Sequence, residues 1–210
     1  MKILSAIAVF FENAPVALTI MLLIVAVSGL ALMNKQLFLK LILHPYSVVH
    51  QKEYYRVVSF DLTHNDILHL GLNIFMMWIS CIPLEKFLIH HSATGSLQFL
   101  LIYLAAHFSG AFYITYRHRN DFSYSCTGAS GSIMGCLFSY MLLQPRVIAF
   151  YLPVVGGVQN GFTALIYIAL LIRLQFRNKS AYSHELHFFG GLGGVLATIV
   201  LFPNILHTGI

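Results

Sequence analysis

Six long apolar stretches, separated by shorter polar connections, are the feature that most constrains how this chain of 210 residues can fold. Only 9% of the residues are charged, whereas a soluble domain carries about a quarter charged residues. Because an apolar stretch of about 20 residues crosses a bilayer as a helix, we predict an all-α membrane protein with six transmembrane helices. We expect one domain over residues 1–210, with spans at about 14–33, 66–88, 98–116, 128–144, 161–174 and 185–202.

Polar side chains stand at the start of the second, fourth and sixth apolar stretches. They are His69 and Asn73, then Ser130, then His187. Because successive spans alternate in direction, these three stretches all begin on the same side of the bilayer. Polar groups inside a membrane are rare and usually functional. The pattern therefore predicts a hydrolytic serine site within one leaflet.

Ser130 and His187 are the candidate nucleophile and general base. A serine hydroxyl attacks only when a neighbouring base removes its proton. Small-xxx-small stripes on both helices favour the close approach that this requires; they are Gly131 with Gly135, and Gly190 with Gly194. The acidic residue nearest to His187 is Glu185, which on a helix points almost the opposite way, so the sequence favours a Ser–His dyad. The alternative is a helix-packing motif with an incidental serine.

His69 and Asn73 are candidate oxyanion donors. Their i, i+4 spacing places both on one face of the second span, and a donor aimed at a tetrahedral oxyanion contributes ~10²–10³ in rate. Hydrogen bonding between helices is the alternative role. A metal site is a further alternative, because His64, His69, His184 and His187 are all near one side; however, the His184–His187 stretch lacks the HExxH pattern. We predict no metal and no cofactor, and we interpret His64 as structural.

These motifs resemble those of the rhomboid family of intramembrane serine proteases. The matching residues are Tyr55-Arg56 for its Trp-Arg, His69-xxx-Asn73 for its HxxxN, Gly128-Ala129-Ser130-Gly131 for its GxSG, His187-xx-Gly190-xxx-Gly194 for its HxxGxxxG, and Glu85 for a structural glutamate. Leu186 departs from the pattern, because a small alanine usually precedes the family's histidine.

The resemblance implies a six-helix rhomboid-like bundle that cleaves single-span membrane proteins in or near their transmembrane helix. It implies Ser130 as nucleophile, His187 as base, and His69 and Asn73 as oxyanion donors. It also implies a movable fifth span and a lid over residues 173–183. Two other classes of protein stay open: a non-catalytic relative that binds transmembrane helices in quality control, and a metal-dependent membrane hydrolase.

The distribution of Lys and Arg bears on orientation. Three of these residues fall on the side that holds the termini and nine on the other, so the positive-inside rule places the larger group in the cytoplasm. The resemblance implies the reverse, with the site facing outward. The basic residues stand singly in loops, which suits lipid headgroups and not nucleic acid. We expect a multi-pass protein of the cell (inner) membrane, with membrane lipids and transmembrane substrates as its partners.

The sequence also supports predictions for three further segments. The apolar clusters in residues 34–65 are too short to cross hydrocarbon, so we predict a partly embedded loop or in-plane helix there. Residues 3–11 predict a retained segment at the membrane interface, and residues 147–160, broken by Pro153 and several glycines, predict a short surface segment. Cys81, Cys126 and Cys136 are interpreted mainly as small packing residues, with Cys126 close to Ser130.

Overall fold

The computed structural model describes residues 13–153, 156–175 and 184–204. Within these ranges the chain is mostly helical. The helices, in chain order, are α1 (Pro15–Met33), α2 (Lys35–Leu41), α3 (Pro45–His50), α4 (Arg56–Ser59), α5 (Ile67–His91), α6 (Gly95–Arg117), α7 (Ser130–Leu143), α8 (Asn160–Gln175) and α9 (His184–Leu201), with a 3₁₀ turn at Phe60–Leu62. The predicted interfacial segment 3–11 and most of the predicted lid lie outside the described residues.

Four of the described helices are long and apolar enough to cross a membrane, namely α1, α5, α6 and α9. Helices α7 and α8 are apolar but shorter, at 14 and 16 residues. A 14-residue helix is only about 21 Å long, against roughly 30 Å of hydrocarbon. The protein is thus an integral membrane protein of mostly helical fold, and the six-span count stays a prediction.

Helix α7 lies at the centre of the bundle and packs against α5, α6, α8 and α9. Its buried residues outnumber its exposed ones on every turn, and they include Ile133, Cys136 and Leu137. Helix α9 packs against both α6 and α7. The short central helix is therefore enclosed by other helices, of which α5, α6 and α9 are longer.

Helix α1 begins at Pro15 without a capping side chain of its own. Glu85 of α5, fully buried, supplies the missing acceptors: its carboxylate accepts from the backbone N–H of Val16 at 3.1 Å and of Ala17 at 2.7 Å. Free N–H groups and the positive end of the helix dipole both favour a carboxylate there. This glutamate, matched to the family pattern by sequence, fastens the start of α1 to the far end of α5.

The connection from α1 to α5 contains helices of at most seven residues, too short to cross the membrane. Arg56 holds it together from within. Its guanidinium donates to Glu53 Oε2 at 2.6 Å and to the carbonyls of Leu39, Lys40 and Ile42 at 2.7 to 3.0 Å. Arg56, one of the nine basic residues counted above, is thus buried and stabilises this connection through its hydrogen bonds.

The short surface segment predicted between α7 and α8 is exposed, and it forms a short antiparallel hairpin. Strands β1 (Ile148–Leu152) and β2 (Gly156–Gln159) pair with Tyr151 opposite Gly157, and a register irregularity lies between Ile148 and Phe150. All five β1 residues are exposed. In the described part of the chain, the helical fold expected from the sequence therefore includes a small two-stranded sheet, at the end of α7 opposite Ser130.

Candidate active site

Ser130 and His187 lie within hydrogen-bonding distance, although 57 positions separate them in the chain. Ser130 is the first residue of α7, and His187 lies in the first turn of α9. Ser130 Oγ and His187 Nε2 are 2.7 Å apart. A hydroxyl that donates to Nε2 requires the ring proton on Nδ1. The geometry suits transfer of the hydroxyl proton to the imidazole.

The approach of α9 to α7 depends on glycines. A Cβ at Gly190 would overlap the backbone of Gly131, with the carbonyl carbon only 2.7 Å away. A Cβ at Gly194 would meet the backbone of Gly135 in the same way, one turn further along. The two predicted stripes therefore face each other, and backbone lies against backbone at the crossing that brings His187 to Ser130.

Leu186 explains how the chain accommodates its departure from the family pattern. The side chain is 2% exposed and lies over two glycines. A Cβ on Gly110 of α6 would be 2.8 Å from Leu186 Cδ1, and one on Gly131 would be 2.9 Å from Leu186 Cγ. A leucine fits beside the catalytic candidate because glycines on both neighbouring helices leave it room.

A backbone turn at Gly128 leads the chain into α7. Gly128 has φ of +104°, a conformation that side-chain-bearing residues rarely adopt. Its N–H donates to the Phe60 carbonyl at 3.0 Å, and a Cβ there would lie 2.8 Å from His69 Cε1. Ala129, which precedes α7, offers no capping side chain. The first N–H groups of α7 therefore have no acceptor from this cap.

His69 and Asn73 line the same cavity as Ser130 and His187. The cavity is about 560 Å³ in volume and is bounded mainly by α5, the segment before α7, and the starts of α7 and α9. Asp66 caps α5 by accepting from the His69 N–H at 2.8 Å. Asn73 Nδ2 donates to the His69 carbonyl at 2.9 Å, so in this structure its amide is directed back into its own helix.

His64 lies behind this wall and is fully buried. Its Nδ1 is 2.8 Å from Ser28 Oγ, and its ring meets the His69 ring edge-on at 4.9 Å. Burial, aided by the nearby His69, lowers the pKa of His64 from 6.5 to about 4. The contact with α1 supports the structural interpretation of this residue, and the two rings keep His69 at the cavity wall.

Glu185 does not contact His187. Its carboxylate lies 3.0 Å from His118 Nε2, at the far end of α6. The His118 ring in turn stacks on Tyr124 at 3.7 Å. Among the described residues, the hydrogen bond of the His187 ring is to Ser130.

Sequence reasoning missed a group of polar residues beneath the cavity. Asp61, His107, Tyr103 and Ser132 meet in the interior and come from three parts of the chain: the 60–62 turn, α6 and α7. One signal was available: His107 is an ionisable residue in the middle of an apolar stretch, and such residues usually have a specific partner. The identity of that partner, Asp61 in the loop before α5, depends on tertiary contacts.

The fold and the Ser130–His187 geometry define an integral membrane protein with a serine–histidine site enclosed by helices. A family model described as the Rhomboid domain matches residues 51–204. The chain belongs to the rhomboid family. It is also 29% identical over 157 residues to a protein named Rhomboid protease GluP from Bacillus subtilis (strain 168). That match covers 74% of this chain but only 27% of the relative's length.

Proposed function

We propose that this protein is an intramembrane serine endopeptidase that cleaves transmembrane proteins in or near their membrane-spanning helix. The observation that carries the proposal is the 2.7 Å contact between Ser130 Oγ and His187 Nε2 in a cavity among the helices. Family membership and the likeness to a protein named as a rhomboid protease support it. A protein that only bound transmembrane helices would have no use for this contact.

In the proposed reaction, Ser130 Oγ attacks the substrate carbonyl carbon while His187 Nε2 takes the hydroxyl proton. The carbonyl oxygen becomes an oxyanion, which His69, Asn73 and the first N–H groups of α7 stabilise. The C–N bond then breaks as His187 returns the proton to the leaving amine. Water, activated by the same imidazole, hydrolyses the acyl ester. Asn73 has to turn its amide from the His69 carbonyl towards the cavity to take part.

The remaining features belong to the proposal as well. We infer six spans forming one domain, with α7 and α8 crossing in a bundle of longer helices, in the cell membrane. We also infer that the site faces away from the cytoplasm, as in the family resemblance; buried Arg56, engaged with Glu53 and backbone carbonyls, reduces the opposing Lys and Arg count only from nine to eight. A reporter fused at Ile210 tests this orientation: a cytoplasmic carboxyl terminus supports it, and an external one contradicts it.

The decisive experiment uses the purified protein in detergent with a model single-span substrate. Wild type is compared with Ser130→Ala, with a matched Ser139→Ala variant, and with wild type plus a metal chelator. Ser139 is on the same helix, but its hydroxyl donates to the Gly135 carbonyl within that helix at 2.7 Å. Cleavage lost only in Ser130→Ala supports the proposal. Cleavage by Ser130→Ala, or its loss with chelator alone, contradicts it.

A further inference from the structure

The turn at residues 60–63 contacts the chain on both sides of Ser130. Before Ser130, the Phe60 carbonyl accepts from the Gly128 N–H at 3.0 Å, and Thr63 Oγ1 lies 2.6 Å from Thr127 Oγ1. After Ser130, Ser132 Oγ donates to Asp61 Oδ2 at 2.6 Å. The candidate nucleophile therefore lies between two points of attachment to one short turn.

Asp61 is the centre of this attachment. It is 5% exposed, and the same carboxylate oxygen accepts from Ser132 Oγ and from Tyr103 Oη, the latter at 3.1 Å. His107 Nδ1 lies 3.0 Å from that oxygen, at ion-pair distance but off the line of a hydrogen bond. His107 Nε2 contacts the Val57 carbonyl at 2.8 Å, and the ring stacks on Phe60 at 5.2 Å. A buried carboxylate requires such partners.

The contact between Ser132 and Asp61 is made by the first turn of α7, which has no capping side chain. Ala129 supplies no capping side chain, and the first turn of a helix frays when its free N–H groups lack partners. Ser132 is the third residue of α7. Its hydroxyl donates to the Asp61 carboxylate, which also contacts Tyr103 and His107 of α6. Fraying of this turn would carry Ser130 Oγ away from His187.

We propose that Asp61 is a positioning residue of the site: through Ser132 it fixes the first turn of α7, and so the approach of Ser130 to His187. This inference rests on the proposed function. It gives Asp61 no contact with substrate. Since a displacement of about 1 Å at a reacting group can cost a hundredfold in rate, a tether of this kind affects turnover and leaves substrate binding in place.

The test measures three quantities for each variant: kcat and KM with the model substrate, the rate at which a fluorophosphonate probe labels Ser130, and the midpoint of thermal unfolding. The variants are Ser132→Ala, Ser132→Thr and the same-helix control Ser139→Ala. Asp61→Asn is included in case Ser132→Ala does not fold. Because the probe reacts without a transmembrane substrate, it reports on the activation of Ser130 alone.

We expect Ser132→Ala to lower kcat and the labelling rate about tenfold, with KM within about twofold of wild type. Ser132→Thr, which keeps a hydroxyl, should recover most of the loss, and Ser139→Ala should match wild type. An active wild type with an unaffected Ser132→Ala, or an equal loss in Ser139→Ala, overturns the positioning role alone. A wild type inert to both substrate and probe overturns the proposed function and this inference with it.

Discussion

Two contacts hold the start of α7, and they differ in kind. On the side of α9, Gly190 and Gly194 lie directly against the backbone of Gly131 and Gly135, and shape alone determines the fit. On the side of the 60–63 turn, Asp61 and its neighbours hold the same helix through directed hydrogen bonds. The first contact has no space for a side chain. The second depends on the identity of polar groups and tolerates changes that preserve them.

The glycine crossing should show the largest effect. Gly190→Ala places a Cβ against the Gly131 backbone, and since neither helix can yield locally, α9 has to move. We expect a loss of about 3 kcal/mol in stability and a fall in cleavage of about a hundredfold, measured by thermal unfolding and by substrate assay. The matched control is Gly29→Ala in α1, where a Cβ meets open space; it should be neutral or slightly stabilising. If Gly190→Ala and Gly29→Ala had equal unfolding midpoints and equal cleavage rates, the idea that shape alone determines the α7–α9 contact would be contradicted.

Substitution of Glu85 tests the polar contact between α5 and the start of α1, which lies far from the site. In Glu85→Ala the backbone N–H groups of Val16 and Ala17, and the Ser96 hydroxyl that donates to Glu85 at 2.7 Å, all lose their acceptor. We expect stability to fall by about 3 kcal/mol, while kcat of the folded fraction stays near that of wild type. Glu85→Gln, which keeps an acceptor, should lose less. A large fall in kcat without a fall in the unfolding midpoint would show that α1 influences the cavity.

The stability of the folded protein should depend on pH through His64. Its pKa is lowered to about 4 in the folded protein and is near 6.5 when unfolded, so the unfolded state binds more protons between these values. The stability from this residue is therefore present above pH 6.5 and decreases as the pH falls towards 4. We expect a loss of about 2 kcal/mol at pH 5 relative to pH 7.5, seen in unfolding midpoints.

The control for this pH dependence is His64→Gln, which removes the titrating group. Its unfolding midpoint should change less between pH 7.5 and pH 5 than that of wild type. An identical slope in both proteins would show that His64 does not cause the pH dependence.

Cys126 should show the smallest effect. It lines the cavity, and burial raises the pKa of its thiol to about 12. Since the thiolate is the reactive form, iodoacetamide at pH 8 should modify it far more slowly than free cysteine, as followed by mass spectrometry. Cys126→Ala should leave cleavage within about twofold of wild type. Rapid modification would mean that this wall of the cavity opens readily.

Sequence patterns were sufficient where short-range rules apply. The apolar periods located α1, α5, α6 and α9 to within a few residues, and the matched glycine spacings on α7 and α9 correctly predicted a close crossing. The span starts also predicted that His69, Asn73, Ser130 and His187 lie in one leaflet, and in the structure all four line one cavity. In each case, the signal lies within one helix or in a comparison of two helices of known direction.

The features that were missed depend on distant parts of the chain. Asp61 meets Ser132, 71 positions away. Glu85 was matched to a structural glutamate through the family resemblance, but its partners on α1, 68 and 69 positions away, are not specified by the local sequence. The β1–β2 hairpin was missed because β1, Ile-Ala-Phe-Tyr-Leu, is apolar without alternation, and periodicity does not distinguish such a run from a buried helical segment.

The shortness of α7 has a consequence for the far leaflet. A rod of about 21 Å is shorter than roughly 30 Å of hydrocarbon, and the exposed β1 strand, with its isoleucine, phenylalanine, tyrosine and leucine side chains, begins five residues after Leu143. If α7 crosses the bilayer as proposed, this apolar ribbon would supply the lipid-facing surface that about six further helical residues would have provided.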